Sequence, residues 1–149
     1  MKIALICEHG GHLTEMLLLI DAFKNQDFFF ITNKSKRASD LKQRVHTIDA
    51  MGNNPILMIR GAFQILRILV RERPDVIIST GAEIAIPAFL IAEIIGVKKK
   101  IFIESWCRVY NPSWSGRIVY HFSDLFLVQW PSLLSRYGKK ARYIGSVIS

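Results

Sequence analysis

The sequence predicts an α/β fold in which helices cover both faces of an open parallel sheet. Three observations predict it. Short apolar runs recur at 2–7, 28–32, 45–49, 75–78, 100–103, 125–129 and 141–144. Helical periodicity occupies 12–24, 56–72, 83–95 and 114–122, with a shorter stretch near 131–137. The runs around residues 3–7 and 75–78 each break into a glycine-containing loop that opens a helix. Strands alternating with helices at this spacing require parallel pairing, and continuous apolar runs fit strands buried on both faces. The expected architecture is Rossmann-like.

The first run, Ile3 to Cys7, is apolar and partly β-branched, as a buried strand should be. Gly10 and Gly11 follow; lacking a Cβ, they permit unusual dihedrals and close approach of a ligand to the main chain. Leu13, Met16, Leu17 and Ile20 then fall at helical spacing, so the unpaired N–H groups of a first helical turn face the loop. An anion, phosphate above all, suits that place. The pattern is not G-x-G-x-x-G, because Glu8 and His9 stand where small residues belong, and it has no P-loop lysine. It points instead to phosphate beside an ionisable group, His12. That histidine is a candidate proton acceptor or acceptor-contacting residue, the alternative being a hydrogen bond to its own loop.

Residues 35–44 form the most polar stretch, expected to be a solvated loop or short helix. In the segment 57–71, Arg60, Gln64, Arg67 and Arg71 are spaced four, three and four apart and form one polar stripe. The rest of the circumference is apolar and wider than the roughly 100° that one core-facing helix needs. A neighbouring helix, a partner or a bilayer surface must cover the excess. Ile65 and Leu69 are the expected membrane-facing residues, with Trp114 extending the surface, and the arginines suit anionic lipid. The second loop, Ser79-Thr80-Gly81-Ala82-Glu83, again joins a buried run to a helix. Strand 100–103 delivers Glu104 to the same sheet edge, where a carboxylate can bind a sugar hydroxyl, orient a histidine or act as base. Helix capping, or a salt bridge with Arg108, is the other reading.

The chain of 149 residues suits a single domain, 1–149, and half of its residues are hydrophobic. No stretch approaches the ~18–20 uncharged apolar residues of a membrane span. Glu8 interrupts the N-terminal apolar run before a signal-peptide core forms. Cys7 and Cys107 make no disulfide framework and fit a reducing compartment as structural thiols. The formal charge of +8 favours polyanions: nucleic acid, an anionic membrane surface or phosphorylated substrates. A basic nucleic-acid-binding domain ranks far lower, because no RNA-binding aromatic motif or recognition helix is present. Cys7, His9 and His12 match no zinc spacing, so no metal is expected.

Taken together, HGGHLTEML, STGAEIAIP, IFIESWCRV and VQWP, within residues 2–145, resemble the acceptor-side, N-terminal half of MurG-like GT-B glycosyltransferases. The chain looks like the split version of that architecture, the PssD/CpsF type, and is similar to the membrane-anchoring subunit of the eukaryotic dolichol-linked GlcNAc transferase. The resemblance implies a membrane-recruiting subunit that binds a polyprenyl-diphosphate-linked acceptor and recruits a small catalytic subunit holding the UDP-sugar. The pair transfers the sugar with inversion, without an obligatory metal or other cofactor in this chain. It places Gly10, Gly11 and His12 near the acceptor diphosphate, Thr80, Gly81 and Ala82 on the second phosphate loop, and Glu104 at the cleft, with His12 or Glu104 as base. The second loop departs from the family in carrying Gly81-Ala82-Glu83 where more glycine is usual. The eukaryotic relative's N-terminal span is missing, so attachment is expected to be peripheral, on the cytoplasmic face of the plasma membrane. Because the sequence stops after its seventh predicted strand, the chain alone is expected to be inactive. A non-catalytic module that docks and activates a separate transferase is the rival reading.

Overall fold

The computed structural model describes residues 1–148. Seven strands, β1 (Lys2–Ile6), β2 (Asp27–Asn33), β3 (Val45–Ile48), β4 (Val76–Ser79), β5 (Lys99–Ile103), β6 (Leu125–Val128) and β7 (Ala141–Tyr143), form one sheet in the order β3-β2-β1-β4-β5-β6-β7. Every neighbouring pair is parallel. The chain starts at the centre, builds outward to β3, then crosses back to lay β4 against the free side of β1. The strand order therefore reverses between β1 and β4, and loops leaving those strands diverge to open a crevice at their carboxyl ends.

The connecting helices are α1 (Gly11–Leu18), α2 (Lys36–Ser39), α3 (Pro55–Glu72), α4 (Ala85–Ile95), α5 (Trp114–Val119) and α6 (Leu134–Tyr137). The helical stretches read at 12–24, 114–122 and 131–137 each resolve into an α-helix and a 3₁₀ turn. Strand alternation divides the core into two layers. Ala4, Ile6, Phe29, Ile31 and Ile77 face α3, α4 and α5, while Ile3, Leu5, Phe30 and Ile78 pack with Leu13 and Met16 of α1.

Helix α3 corrects one expectation. Its start is set by Asn54, whose Oδ1 accepts from the Ile56 N–H at 2.9 Å, and by Pro55 in the first turn. It ends where Arg73 turns left-handed at φ 49°. Ile65 and Leu69, expected to face a membrane, are fully buried in the core. The exposed apolar stripe is instead Ile56, Ile59, Phe63 and Val70, of which Ile59 is 70% and Phe63 63% exposed. Both sides of this helix are apolar, so periodicity alone cannot say which turns inward. Gly61 says it: Gly61, Ile65 and Leu69 share one face, and a Cβ on Gly61 would stand 2.5 Å from the Met51 side chain. The loop after β3 lies directly over that glycine.

Candidate functional site

The first loop opens α1 with its N-terminus free. No side chain caps the helix, and the Thr14 N–H is the first to turn back, to the Gly10 carbonyl at 3.1 Å. Gly10 is extended, at φ −179°, a conformation that any residue adopts. A Cβ on either Gly10 or Gly11 would meet nothing within 4 Å. Neither the backbone nor the packing explains these glycines; they leave open space where the helix N–H groups point outward. Arg37 of α2 adds a cation here, donating to the Gly10 carbonyl at 2.9 Å and to Thr14 Oγ1 at 2.8 Å. Arg37 lies in the stretch expected to be solvated, because nothing local in the sequence shows that α2 folds back over the loop.

His12 is locked across the β1/β4 switch point. Its Nδ1 lies 2.8 Å from the Thr80 carbonyl, and the Thr80 hydroxyl donates to the His12 carbonyl at 2.7 Å. A carbonyl only accepts, so Nδ1 carries the hydrogen, and the neutral ring keeps its lone pair on Nε2. The second loop exists to make this fit. Gly81 has φ +118°, and a Cβ there would press within 3.2 Å of the His12 ring; Ala82 follows at φ +72°, strained for a residue with a side chain.

This arrangement corrects the phosphate role expected of the second loop. Thr80 is fully buried with its carbonyl and its hydroxyl committed to His12, and the Gly81 N–H donates to Ser79 Oγ at 3.1 Å. Of the three, Ala82 lines the cavities on both sides of the loop. Thr80 and Gly81 position the histidine.

Glu104 also lies elsewhere than expected. It is 1% exposed and accepts from the Ser105 N–H at 3.0 Å, the Ser113 N–H at 3.0 Å, the Ser113 hydroxyl at 2.8 Å and the Tyr137 hydroxyl. Burial first, and then the neighbouring Glu104, push the Tyr137 phenol far above its usual range, so it stays protonated and donates. Glu104 ties the end of β5 to α5 and α6 and does not line the cleft. The carboxylates that line the cleft are Glu15, which is buried, and Glu83.

The cleft, about 360 Å³, runs between α1 and the loops after β4 and β5, with Gly11, His12, Glu83, Arg108, Ser115 and the rim residue Trp114 on its walls. One wall is fixed by Glu15, which sequence reasoning misses because it sits within a helix. Its buried carboxylate accepts from Ser105 Oγ at 2.8 Å, from the Trp106 N–H at 3.2 Å and from Gln129 Nε2 at 2.8 Å. Gln129 Nε2 also reaches the Glu104 carbonyl at 3.0 Å, so α1, the β5 loop and the β6 loop are held as one unit. A glutamate among apolar helix positions was the only signal in the sequence. Among the described residues no group of three His, Cys, Asp or Glu side chains is placed to hold a metal ion. Cys7 is buried, its thiol pushed up to about 12 by that burial, and Cys107 is exposed at the cleft.

The model of the family described as oligosaccharide biosynthesis protein Alg14 like matches residues 45–147. The chain belongs to the Alg14-like family. The UDP-N-acetylglucosamine transferase subunit ALG14 of Homo sapiens is 26% identical over 181 residues, spanning 99% of this chain and 83% of that protein. The Schizosaccharomyces pombe subunit of the same name is 44% identical over 78 residues, which cover 50% of the Alg14-like chain and 37% of that relative. Among solved structures, Acinetobacter baumannii MurG superposes with a TM-score of 0.81 at 13% identity, over 98% of this chain and 45% of MurG. A UDP-GlcNAc 2-epimerase from Methanocaldococcus jannaschii gives 0.72 at 15% identity, over 98% of this chain and 46% of that one. The Alg14-like chain thus spans under half of these solved chains and has the fold of the N-terminal half of a GT-B enzyme, as the resemblance implied. Among the described residues no helix is long and apolar enough to cross a membrane.

Proposed function

We propose that this chain is the acceptor-binding, membrane-seated subunit of a two-protein inverting glycosyltransferase of lipid-linked oligosaccharide or polysaccharide biosynthesis. A separate subunit supplies the UDP-sugar, with N-acetylglucosamine the sugar named in its relatives. The acceptor is a polyprenyl-diphosphate-linked saccharide. The observation that carries the reading is the pairing of an uncapped α1 N-terminus with a histidine whose Nδ1 is spent on Thr80. The first is a seat for a diphosphate, reinforced by Arg37. The second leaves Nε2 as a proton acceptor within the same cleft. The acceptor hydroxyl attacks the anomeric carbon from the face opposite UDP. Its proton passes to His12 Nε2, and UDP departs with the electron pair of the broken C–O bond. His12 is the base in this scheme and Glu104 a positioning residue.

Gly11→Val tests the diphosphate seat. The open space around Gly11 predicts an intact fold, whereas a branched side chain would occupy the approach to the helix N–H groups. Acceptor affinity is expected to fall at least about tenfold, the loss of one charge-assisted hydrogen bond, while association with the partner persists. Unchanged acceptor use would remove the diphosphate from this loop.

The membrane seat is the exposed face of α3. Ile56, Ile59 and Phe63 lie in the half of the helix that starts at the carboxyl edge of the sheet, where the cleft opens, and exposed Arg60 and Arg67 flank them. Trp114 is 66% exposed at the cleft rim. A lipid-linked acceptor would then meet its site at the bilayer surface, on the cytoplasmic side. Replacing Ile59 and Phe63 with Asp should abolish sedimentation with anionic vesicles and leave the melting temperature near that of the parent, since both side chains are solvent-exposed. Undiminished sedimentation would assign the anchor to another surface.

A further inference from the structure

Beside the His12 cleft lies a second recess of about 460 Å³ at the carboxyl ends of β1 and β2, walled by Glu8, His9, Met51, Ala82 and Glu83, with Asn33 among its lining residues. Ala82 and Glu83 line both cavities, so one loop separates them. Three features set the recess apart. Asn33 is 2% exposed, and its Oδ1 is buried with no hydrogen-bond partner among the described residues, a costly state for an amide oxygen. Neither Glu8 nor Glu83 has an ion-pair partner among the described residues, whereas Asp49, Glu72, Asp75, Glu93 and Asp124 all do. Burial first, and then the charge of Glu83, raise the Glu8 carboxyl above its ordinary range.

Two unpaired carboxylates on the wall, with an unmet amide oxygen buried just beneath it, make a place that wants donors. It repels a phosphate. Glu8, His9 and Glu83 do not converge as a metal-ligand set among the described residues. The ligand chemistry that fits is uncharged and rich in hydroxyl groups, each able to donate to a carboxylate or to Asn33. The recess adjoins the loop that opens α1 and shares Glu83 with the cleft containing His12.

We propose that this recess binds the first sugar of the diphosphate-linked acceptor, with Glu8, Asn33 and Glu83 taking hydrogen bonds from its hydroxyls. This rests on the acceptor reading above, and it divides the acceptor in two: diphosphate at Gly10–Leu13 and Arg37, saccharide across the Ala82–Glu83 loop. Selectivity for the acceptor sugar then belongs to residues of β1, β2 and the β4 loop in this chain.

The test is amide NMR on the full chain with two kinds of short-chain prenyl diphosphate, one without a sugar and a set carrying N-acetylglucosamine, glucose or galactose. The sugar-free probe is expected to shift the amides of Gly10 to Leu13 only. At least one sugar-bearing probe should shift these and also Glu8, Asn33, Gly52 and Glu83. Glu8→Gln and Glu83→Gln should each weaken the sugar-bearing probe about tenfold relative to the sugar-free one, as for a lost hydrogen bond to a charged group, while the sugar-free probe loses no affinity. If every sugar-bearing probe gives the sugar-free pattern, or adds shifts only in 105–115, the recess is not the sugar site and the acceptor reading stands. If no probe shifts Gly10 to Leu13, the acceptor reading itself fails and takes this assignment with it. Shifts at Glu8 and Glu83 with magnesium chloride alone, at millimolar concentration, would make the recess a cation site and overturn the proposal.

Discussion

With the donor-binding partner present, His12→Ala is expected to lower turnover by roughly 10²–10⁴-fold, the range for loss of a positioned general base. The fold should survive, because the substitution removes one hydrogen bond, to the Thr80 carbonyl, worth about 1 kcal/mol. Acceptor binding should change little, since the α1 N–H groups and Arg37 remain. Measuring turnover, acceptor affinity and partner binding on one preparation separates the roles. Near-normal turnover would leave His12 a loop-fixing residue and favour a module that only docks and activates its partner. A complementary variant, Gly81→Ala, acts on the histidine from outside: its Cβ meets the ring and its φ is unfavourable, so turnover should fall although no reacting group is removed.

Glu104→Ala is expected to damage stability before chemistry. The carboxylate collects two backbone N–H groups and two hydroxyls, and removing it strands donors from the β5 end, α5 and α6. With each stranded group costing about 1–3 kcal/mol and water relieving part of the loss, the variant should lose roughly 3–5 kcal/mol. Denaturant unfolding measures this directly. Glu104→Gln keeps one carbonyl oxygen but presents an amide to donors, so it should fall between the parent and the alanine variant. A Glu104→Ala protein as stable as the parent but without turnover would return this residue to the reaction.

All seven strands were legible in the sequence because a parallel sheet buries both faces and writes continuous apolar runs, which need no knowledge of neighbours. The glycine loop and His12 were legible for a related reason: a strand, a flexible loop and a helix start are adjacent in the chain. What the sequence hid depends on contacts between distant segments. Thr80 reads as part of a second phosphate loop until it is seen holding His12, 68 positions away. Glu104 reads as a cleft carboxylate until α5 and α6 fold over it. Ile65 and Leu69 could be placed outside because α3 is apolar on two sides, and only the contact between Gly61 and Met51 fixes its rotation.

The strand order also governs how the molecule is made. β1 emerges first but has neighbours on both sides, and its second partner, β4, begins only at Val76. During synthesis β1 waits with one edge unpaired until Val76 has been added, shielded by whatever α3 covers. Pairings of this separation lose much chain entropy before they are rewarded, so refolding should be slow beside that of a helical protein of equal length. Such an open edge is also where a partly made chain aggregates. The hydrogen bond from His12 to Thr80 spans the same gap, so a nascent chain that has not yet reached Thr80 carries the glycine loop and the histidine without the tautomer lock. Closing the centre of the sheet and arming the histidine are one event in folding.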